Sequence, residues 1–190
     1  PEELGGLGLD PVMYAIFCEK IAKFSLDTAA CFIQMIFTAQ NLATNGTKEQ
    51  QEKYLPPFLT GDQRFAISIS EPNAGSDAAS VTTKAVREGD EWVINGAKMW
   101  CSGAHHPNTT IVLLARTGEE RYAGLTAILL PNDTPGLDIR KLPTIVRKSL
   151  GTTQYFLDNV RVPVSNTLGK IGEGWKVIGQ HLQLERMSLA

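Results

Sequence analysis

The sequence predicts an α+β protein. Residues 1–60 carry helix start and stop signals, residues 63–168 break into short β-rich runs split by turn residues, and residues 174–190 return to a helical period. No helix-length segment separates the β runs, so βαβ crossovers and a doubly wound dinucleotide fold are excluded. With 190 residues, 43% of them hydrophobic, the chain can bury a sizeable core.

The elements follow in order. Pro1-Glu2-Glu3-Leu4-Gly5-Gly6-Leu7-Gly8-Leu9 is an entry loop whose glycines precede a helix but follow no strand. Asp10-Pro11 starts a helix as N-cap and first-turn proline. Residues 12–24 are apolar on more than one side, so this helix is expected to be buried. A second helix follows Asp27, carries Cys31, Phe32, Ile33, Met35, Ile36 and Phe37, and stops near Asn45-Gly46. Thr47 and Gln50 make a capping box for a short helix expected to reach Tyr54-Leu55 and to end at Pro56-Pro57. The β runs are 65–69, 82–86, 92–94, 97–102, 110–115, 125–130 and 154–160. Asn95-Gly96 reads as a hairpin turn, with Glu88-Gly89-Asp90, Pro131-Asn132-Asp133 and Thr134-Pro135-Gly136 as connectors. This is barrel or sandwich punctuation. In the last helix Trp175, Ile178, Leu182, Glu185 and Leu189 form one apolar stripe with a carboxylate inside it.

Composition bounds the partners. Eighteen Lys and Arg against twenty Asp and Glu give a net charge of −2. The charges are dispersed, so there is no electrostatic footprint for nucleic acid and no basic patch for a membrane surface. No apolar run approaches a spanning length. Cys18, Cys31 and Cys101 are odd in number and lack metal-ligand spacing, which fits a reducing compartment and a role as small core residues. His105, His106 and His181 have no metal partner at useful spacing, so no metal is expected.

Two segments carry chemistry. Residues 65–69 alternate, with Phe65, Ile67 and Ile69 on one face and Ala66, Ser68 and Ser70 on the other. The strand then breaks at Ser70-Glu71-Pro72-Asn73-Ala74-Gly75-Ser76-Asp77. There a glycine permits positive φ, successive N–H groups can converge on an anion, and the Ser76 hydroxyl adds a donor. By composition this is equally an ordinary turn between strands. Lys98-Met99-Trp100-Cys101-Ser102-Gly103 ends a second strand with Trp100 and Ser102 on one face. Taken by itself, Trp100 also reads as a core residue.

The pair Ser-Glu-Pro-x-Ala-Gly-Ser-Asp and Lys-x-Trp-x-Ser resembles the flavin-binding core of the acyl-CoA dehydrogenase family. Residues 1–9, 46–56, 158–163 (Asp158-Asn159-Val160-Arg161-Val162-Pro163) and 172–175 (Gly172-Glu173-Gly174-Trp175) extend the likeness along nearly the whole chain. It implies a truncated helical N-terminal domain (1–61), an antiparallel β-barrel middle domain that binds flavin and acyl-CoA (62–169), and the first helix of a C-terminal helical bundle (170–190). On this likeness the chain is expected to be a fragment.

The resemblance also implies a chemistry. An acyl-CoA thioester loses a proton from Cα and a hydride from Cβ to FAD, giving the trans-2-enoyl thioester. Ser70 and Ser102 would hydrogen-bond the flavin ring, where relatives commonly carry threonine, and Trp100 would pack on it. Ile69 and Phe65 would pass beside it. Ser76 would contact the flavin pyrophosphate or the CoA arm, and Asn73 replaces the motif's usual glycine. Ala29, Ala30 and Ile33 would face the acyl chain, although an apolar helix face is also plain core. Glu185 stands where a minority of the family carries the catalytic base, with Arg186 beside it to orient or screen the carboxylate. Burial would raise a glutamate's pKa and suit it to that work. The alternatives are an ion pair with a residue of the C-terminal domain that the fragment lacks, or a helix end that is simply exposed. Electron-transferring flavoprotein as acceptor, a homo-oligomer (dimer or tetramer), and a bacterial cytoplasmic or mitochondrial matrix location complete the implied setting. An acyl-CoA oxidase, a non-catalytic flavin- or thioester-binding subunit of the same fold, and a related flavin monooxygenase remain as other readings.

Overall fold

The computed structural model describes the backbone of residues 2–8 and 10–189. Pro1, Leu9 and Ala190 lie outside the described residues, as do the side chains of Pro11, His181, Gln183, Leu184 and residues 187–189. The Leu189 end of the expected stripe and the reading of His181 therefore fall outside them.

Three helices lead the chain: α1 (Pro11–Ala22), α2 (Leu26–Asn45) and α3 (Lys48–Leu59). Each begins on a side-chain cap, since an unpaired first-turn N–H needs an acceptor. Asp10 Oδ1 accepts from Met13 N–H at 2.8 Å and Ser25 Oγ from Thr28 N–H at 3.2 Å. Both halves of the Thr47/Gln50 capping box form. Gln50 reaches further, donating to the carbonyls of Ser165 (2.8 Å) and Thr167 (2.9 Å).

Two helical expectations are corrected. First, α3 continues through Pro56 and Pro57. A proline removes a donor but keeps a helical φ and an acceptor carbonyl, and near the C-terminus these carbonyls still receive Thr60, Asp62 and Gln63 N–H groups. Second, α1 is not buried all round. It packs on α2 through Tyr14 against Phe37 and Phe17 against Phe32, while Val12, Met13, Ile16 and Phe17 remain exposed.

Eight strands follow: β1 (Arg64–Ser68), β2 (Lys84–Glu88), β3 (Glu91–Ser102), β4 (Thr109–Arg116), β5 (Leu125–Pro131), β6 (Leu137–Leu142), β7 (Thr152–Pro163) and β8 (Thr167–Leu168). They form one mixed sheet of order β6-β7-β3-β2-β4-β5-β8, with β1 added beside β4. The antiparallel expectation is corrected, because β1 pairs parallel to β4 from Arg64↔Thr109 to Ser68↔Leu113, and Lys84 of β2 pairs parallel to Arg116. Among the described residues these pairings trace an open path rather than a closed ring. Asn95-Gly96 is not a hairpin either. The strand runs through it as a bulge opposite β7, and the turn lies at Gly89-Asp90. A Cβ on Gly96 would come within 2.6 Å of Thr83 Oγ1 and 2.8 Å of its Cα, so close backbone approach explains this glycine.

The sheet buries both faces. Phe65, Val112, Leu114, Ala127 and Leu129 join Leu42, Tyr54, Leu55, Val177 and Ile178 in a helix-side core. Ala66, Ile111, Leu113, Ile128, Leu130, Tyr155 and Val160 form the opposite core. Period-two alternation with apolar residues at every position is what a strand covered on both sides requires. The closing helix α4 (Gly174–Leu189) starts against β5, and Asn41 of α2 donates to the Val177 carbonyl at 2.7 Å. In the expected stripe Ile178 is buried and Leu182 and Glu185 are partly so. Trp175 instead leans outward on Tyr122, with ring centroids 5.1 Å apart.

Candidate functional site

The end of β1 and the middle of β3 meet. Met99 N–H donates to the Ser70 carbonyl at 3.0 Å and the Lys98 ammonium to the Ile69 carbonyl at 2.9 Å. Deeper in, the Cys101 thiol approaches the Ile67 carbonyl at 3.2 Å. Ser70 is thus fixed beside the strand that carries Trp100 and Ser102, and both serines are partly exposed. Between Met99 and Cys101 the β3–β7 register slips by one residue, and that extra residue is Trp100. Its φ is 66° and its side chain is 59% exposed. A bulge re-aims a side chain, and here it turns an indole out of the sheet, which excludes the core reading of Trp100. Phe65, by contrast, is sealed in the helix-side core against Phe58 and Tyr54.

A buried ion pair holds this junction together. Lys98 Nζ lies 3.0 Å from Glu71 Oε1, with both side chains almost wholly out of solvent. The remaining carboxylate positions accept from Thr82 N–H and Oγ1 and from Thr83 N–H, all at 2.8 Å. Burial would raise the Glu71 carboxyl, but the Lys98 charge and these hydrogen bonds outweigh it and hold the pKa near about 2. Burial dominates at Lys98 and pushes its ammonium down to about 8 despite Glu71. Both residues lie within the two motifs, where neither stands out as functional by pattern. The available signal was Lys98 inside the β-rich run 97–102, which would bury its charge unpaired unless a carboxylate such as Glu71, just after the run 65–69, met it.

The other candidates lie around this junction. Glu71 and Ala74 exchange backbone hydrogen bonds across Pro72-Asn73, leaving Asn73, Gly75 and Ser76 exposed in the turn. Arg121 anchors the turn's far end through Asp77 Oδ1 at 2.6 Å. On α2, Ala29 and Ile33 pack with Cys18 and Phe37 in a small core against α1, and Ala30 is buried. Glu185 on α4 is partly buried and Arg186 exposed. Burial raises the Glu185 carboxyl, and the charges of Arg147 and Arg186 only partly offset this. Arg147, from the loop between β6 and β7, was not anticipated. That loop also borders a cleft of about 440 Å³ lined by Lys141, Leu142, Pro143, Thr144 and Lys148, which holds none of the expected site residues.

Cys18 and Cys101 are buried and Cys31 partly exposed, all as free thiols. Burial pushes the Cys101 thiol up to about 12. The His106 ring meets the Leu150 carbonyl at 3.0 Å and stacks on His105. Among the described residues no His, Cys, Asp and Glu cluster could hold a metal ion, and no helix is long and apolar enough to cross a membrane.

Comparison with known proteins places this geometry. Residues 1–62 match the family model of the acyl-CoA dehydrogenase N-terminal domain, and residues 66–160 match that of the middle domain. The chain belongs to the acyl-CoA dehydrogenase family. It is 36% identical over 192 residues to the mitochondrial 2-methylacyl-CoA dehydrogenase of Solanum tuberosum, covering all of this chain and 47% of that protein. Among solved structures, a glutaryl-coenzyme A dehydrogenase in complex with glutaryl-CoA superimposes with a TM-score of 0.93 at 31% identity, over 99% of this chain and 49% of that one. A chain in the structure of the electron transferring flavoprotein of Acidaminococcus fermentans gives a TM-score of 0.93 at 31% identity, over 100% and 50% of the two chains. The chain thus spans about half the length of the relatives it matches. Family membership implies a flavoprotein oxidoreductase.

Proposed function

We propose that this chain is the flavin-gripping half of an FAD-dependent acyl-CoA dehydrogenase that forms a trans-2-enoyl-CoA. The observation that carries the reading is the Met99 N–H to Ser70 carbonyl bond, which sets two hydroxyl-bearing strand ends and an outward indole around one junction. Such neutral donors beside an apolar aromatic face fit a planar, uncharged heteroaromatic ring, and the exposed turn at Gly75-Ser76, with its Ser76 hydroxyl, fits a pyrophosphate. When bound, FAD supplies the hydride acceptor.

The chain's own residues divide the remaining work. Ser70 and Ser102 hold the polar edge of the ring, Trp100 covers its face and excludes water, Ile69 supports it, and Ser76 takes the pyrophosphate or the CoA arm. Ala30 and Ile33 bound the acyl chain. Glu185 accepts the Cα proton, its raised pKa making it a stronger base than a solvated carboxylate, and Arg186 orients it toward the thioester. The domain division 1–61, 62–169 and 170–190, a homo-oligomeric state and a cytoplasmic or mitochondrial matrix location belong to the same reading. So does electron-transferring flavoprotein as acceptor, which the structural likeness to the Acidaminococcus fermentans chain supports.

Anaerobic titration of the complete gene product with a panel of acyl-CoAs tests the reading. Bleaching of bound flavin by one of them, lost on Glu185→Gln with FAD retained, is the expected result. A protein without flavin, or a flavin that no thioester reduces, would overturn it.

A further inference from the structure

Ser102 sits between two residues in the left-handed region, Trp100 at φ 66° and Gly103 at φ 77°. After the Trp100 bulge Ser102 rejoins the ladder opposite Thr152 of β7, but β2 borders β3 only as far as Asn95, so the contact on the other edge of Ser102 must come from elsewhere. Among the described residues, the side chain that reaches its carbonyl comes from another part of the chain. Gln34, on α2, donates from Nε2 to the Ser102 carbonyl at 2.6 Å.

We propose that Gln34 is a positioning residue that fixes the Ser102 hydroxyl toward the flavin. This rests on the proposed role of Ser102. The geometry gives Gln34 a rigid base: neighbouring Ile33 and Phe37 are locked into the small core with Cys18, and farther along the helix Ala39 and Leu42 enter the helix-side core of the sheet. It also gives the contact a second point. Asp27, near the start of the same helix, accepts from Ser149 N–H and Oγ at 3.3 Å, and Leu150 packs against Gly103, where a Cβ would meet its Cδ1 at 3.1 Å. The facing strand closes the arrangement, since Gly103 N–H donates to the Gly151 carbonyl at 2.8 Å. One helix therefore grips both chain segments at the point where β3 leaves the sheet. Because Ala30 lies one turn before Gln34, the helix proposed to bound the acyl chain is also the one that aims a flavin contact.

Gln34 acts through Ser102, so a double-mutant cycle rather than a single substitution tests its role. In the complete gene product, Gln34→Met keeps side-chain length and removes the donor. The expected result is a shifted flavin midpoint potential and an altered visible flavin spectrum with FAD stoichiometry unchanged. Gly103 amide exchange should quicken by up to about tenfold, the equilibrium worth of one lost hydrogen bond. In a Ser102→Ala background the same Gln34→Met change should move the potential no further. Unchanged potential and exchange in Gln34→Met, or shifts from the two substitutions that simply add, would overturn the positioning role. If the protein binds no FAD, the proposed function falls, and Gly103 exchange in the flavin-free protein still decides whether Gln34 restrains this segment.

Discussion

Glu71 Oε1 accepts from the Lys98 ammonium, 3.0 Å away, where the two motifs of the site cross. Removing one partner of a buried pair leaves the other charge stranded, at a cost of about 3–5 kcal/mol, whereas replacing both with apolar residues is often neutral. Lys98→Met is therefore expected to lower the urea unfolding free energy by about that much, with Glu71→Leu/Lys98→Met recovering only part of it, since the buried Thr83 N–H then loses its acceptor. A single variant as stable as the parent would show that the pair contributes nothing.

The same carboxylate gives the protein an acid limb. Its folded pKa, about 2, lies below the 4.5 of an ordinary glutamate, so the unfolded chain takes up the proton more readily. The stabilisation is fully present above pH 4.5 and is lost as pH falls toward 2. Urea midpoints followed from pH 6 to pH 2 should drop across that window. The drop should be shallower for Glu71→Gln, which starts from lower stability.

Glu185 titrates in the opposite direction. Its carboxyl is raised by burial and partly restrained by Arg147. The rate of flavin reduction in the complete gene product should therefore climb with pH through a limb lying above 4.5. Arg147→Gln should move that limb higher, because a nearby positive charge that favours the carboxylate is gone. An unmoved limb would detach Arg147 from the base.

Trp100 adopts a backbone conformation that costs a residue with a Cβ about 1–2 kcal/mol and glycine almost nothing. Trp100→Gly should accordingly melt higher than Trp100→Ala, although both lose the indole. Differential scanning calorimetry of the two variants decides it, and equal midpoints would mean the bulge relaxes.

Gly96 makes a contrasting case. Its Cβ would strike Thr83, so Gly96→Ala is expected to destabilise by about 1–3 kcal/mol. Thr83→Ala, which removes the Oγ1 at 2.6 Å but leaves the Cα at 2.8 Å and the Cβ at 2.9 Å in place, should rescue only part of this in chemical denaturation.

The parts of this fold that could be read from the sequence are those set by local chemistry. Asp10, Thr47 and Gln50 announced their helices, because a cap bonds within three residues of itself. The alternation at residues 65–69 likewise separated Phe65 from Ala66 onto the two cores. What escaped depends on distant partners. Asn95-Gly96 has the composition of a tight turn, and only β7 on the other side shows it to be a bulge. Leu137–Leu142, with Asp138, Arg140 and Lys141 among its six residues, does not look like a strand until it is seen at the sheet's edge, where charge is tolerated. At the candidate site the serines and Trp100 stood out by pattern. Glu71, Lys98, Gln34 and Arg147 did not, since their importance comes from residues far away in the chain.

The parallel pairing of β1 with β4 has a consequence for how the chain comes together. Arg64 must find Thr109, 45 positions later, and everything between them has to be folded out of the way first. Local hairpins such as β2–β3 can zip early, but this closure pays a long loop's entropy before it gains any contact. During synthesis β1 therefore waits with its edge open until β4 has emerged.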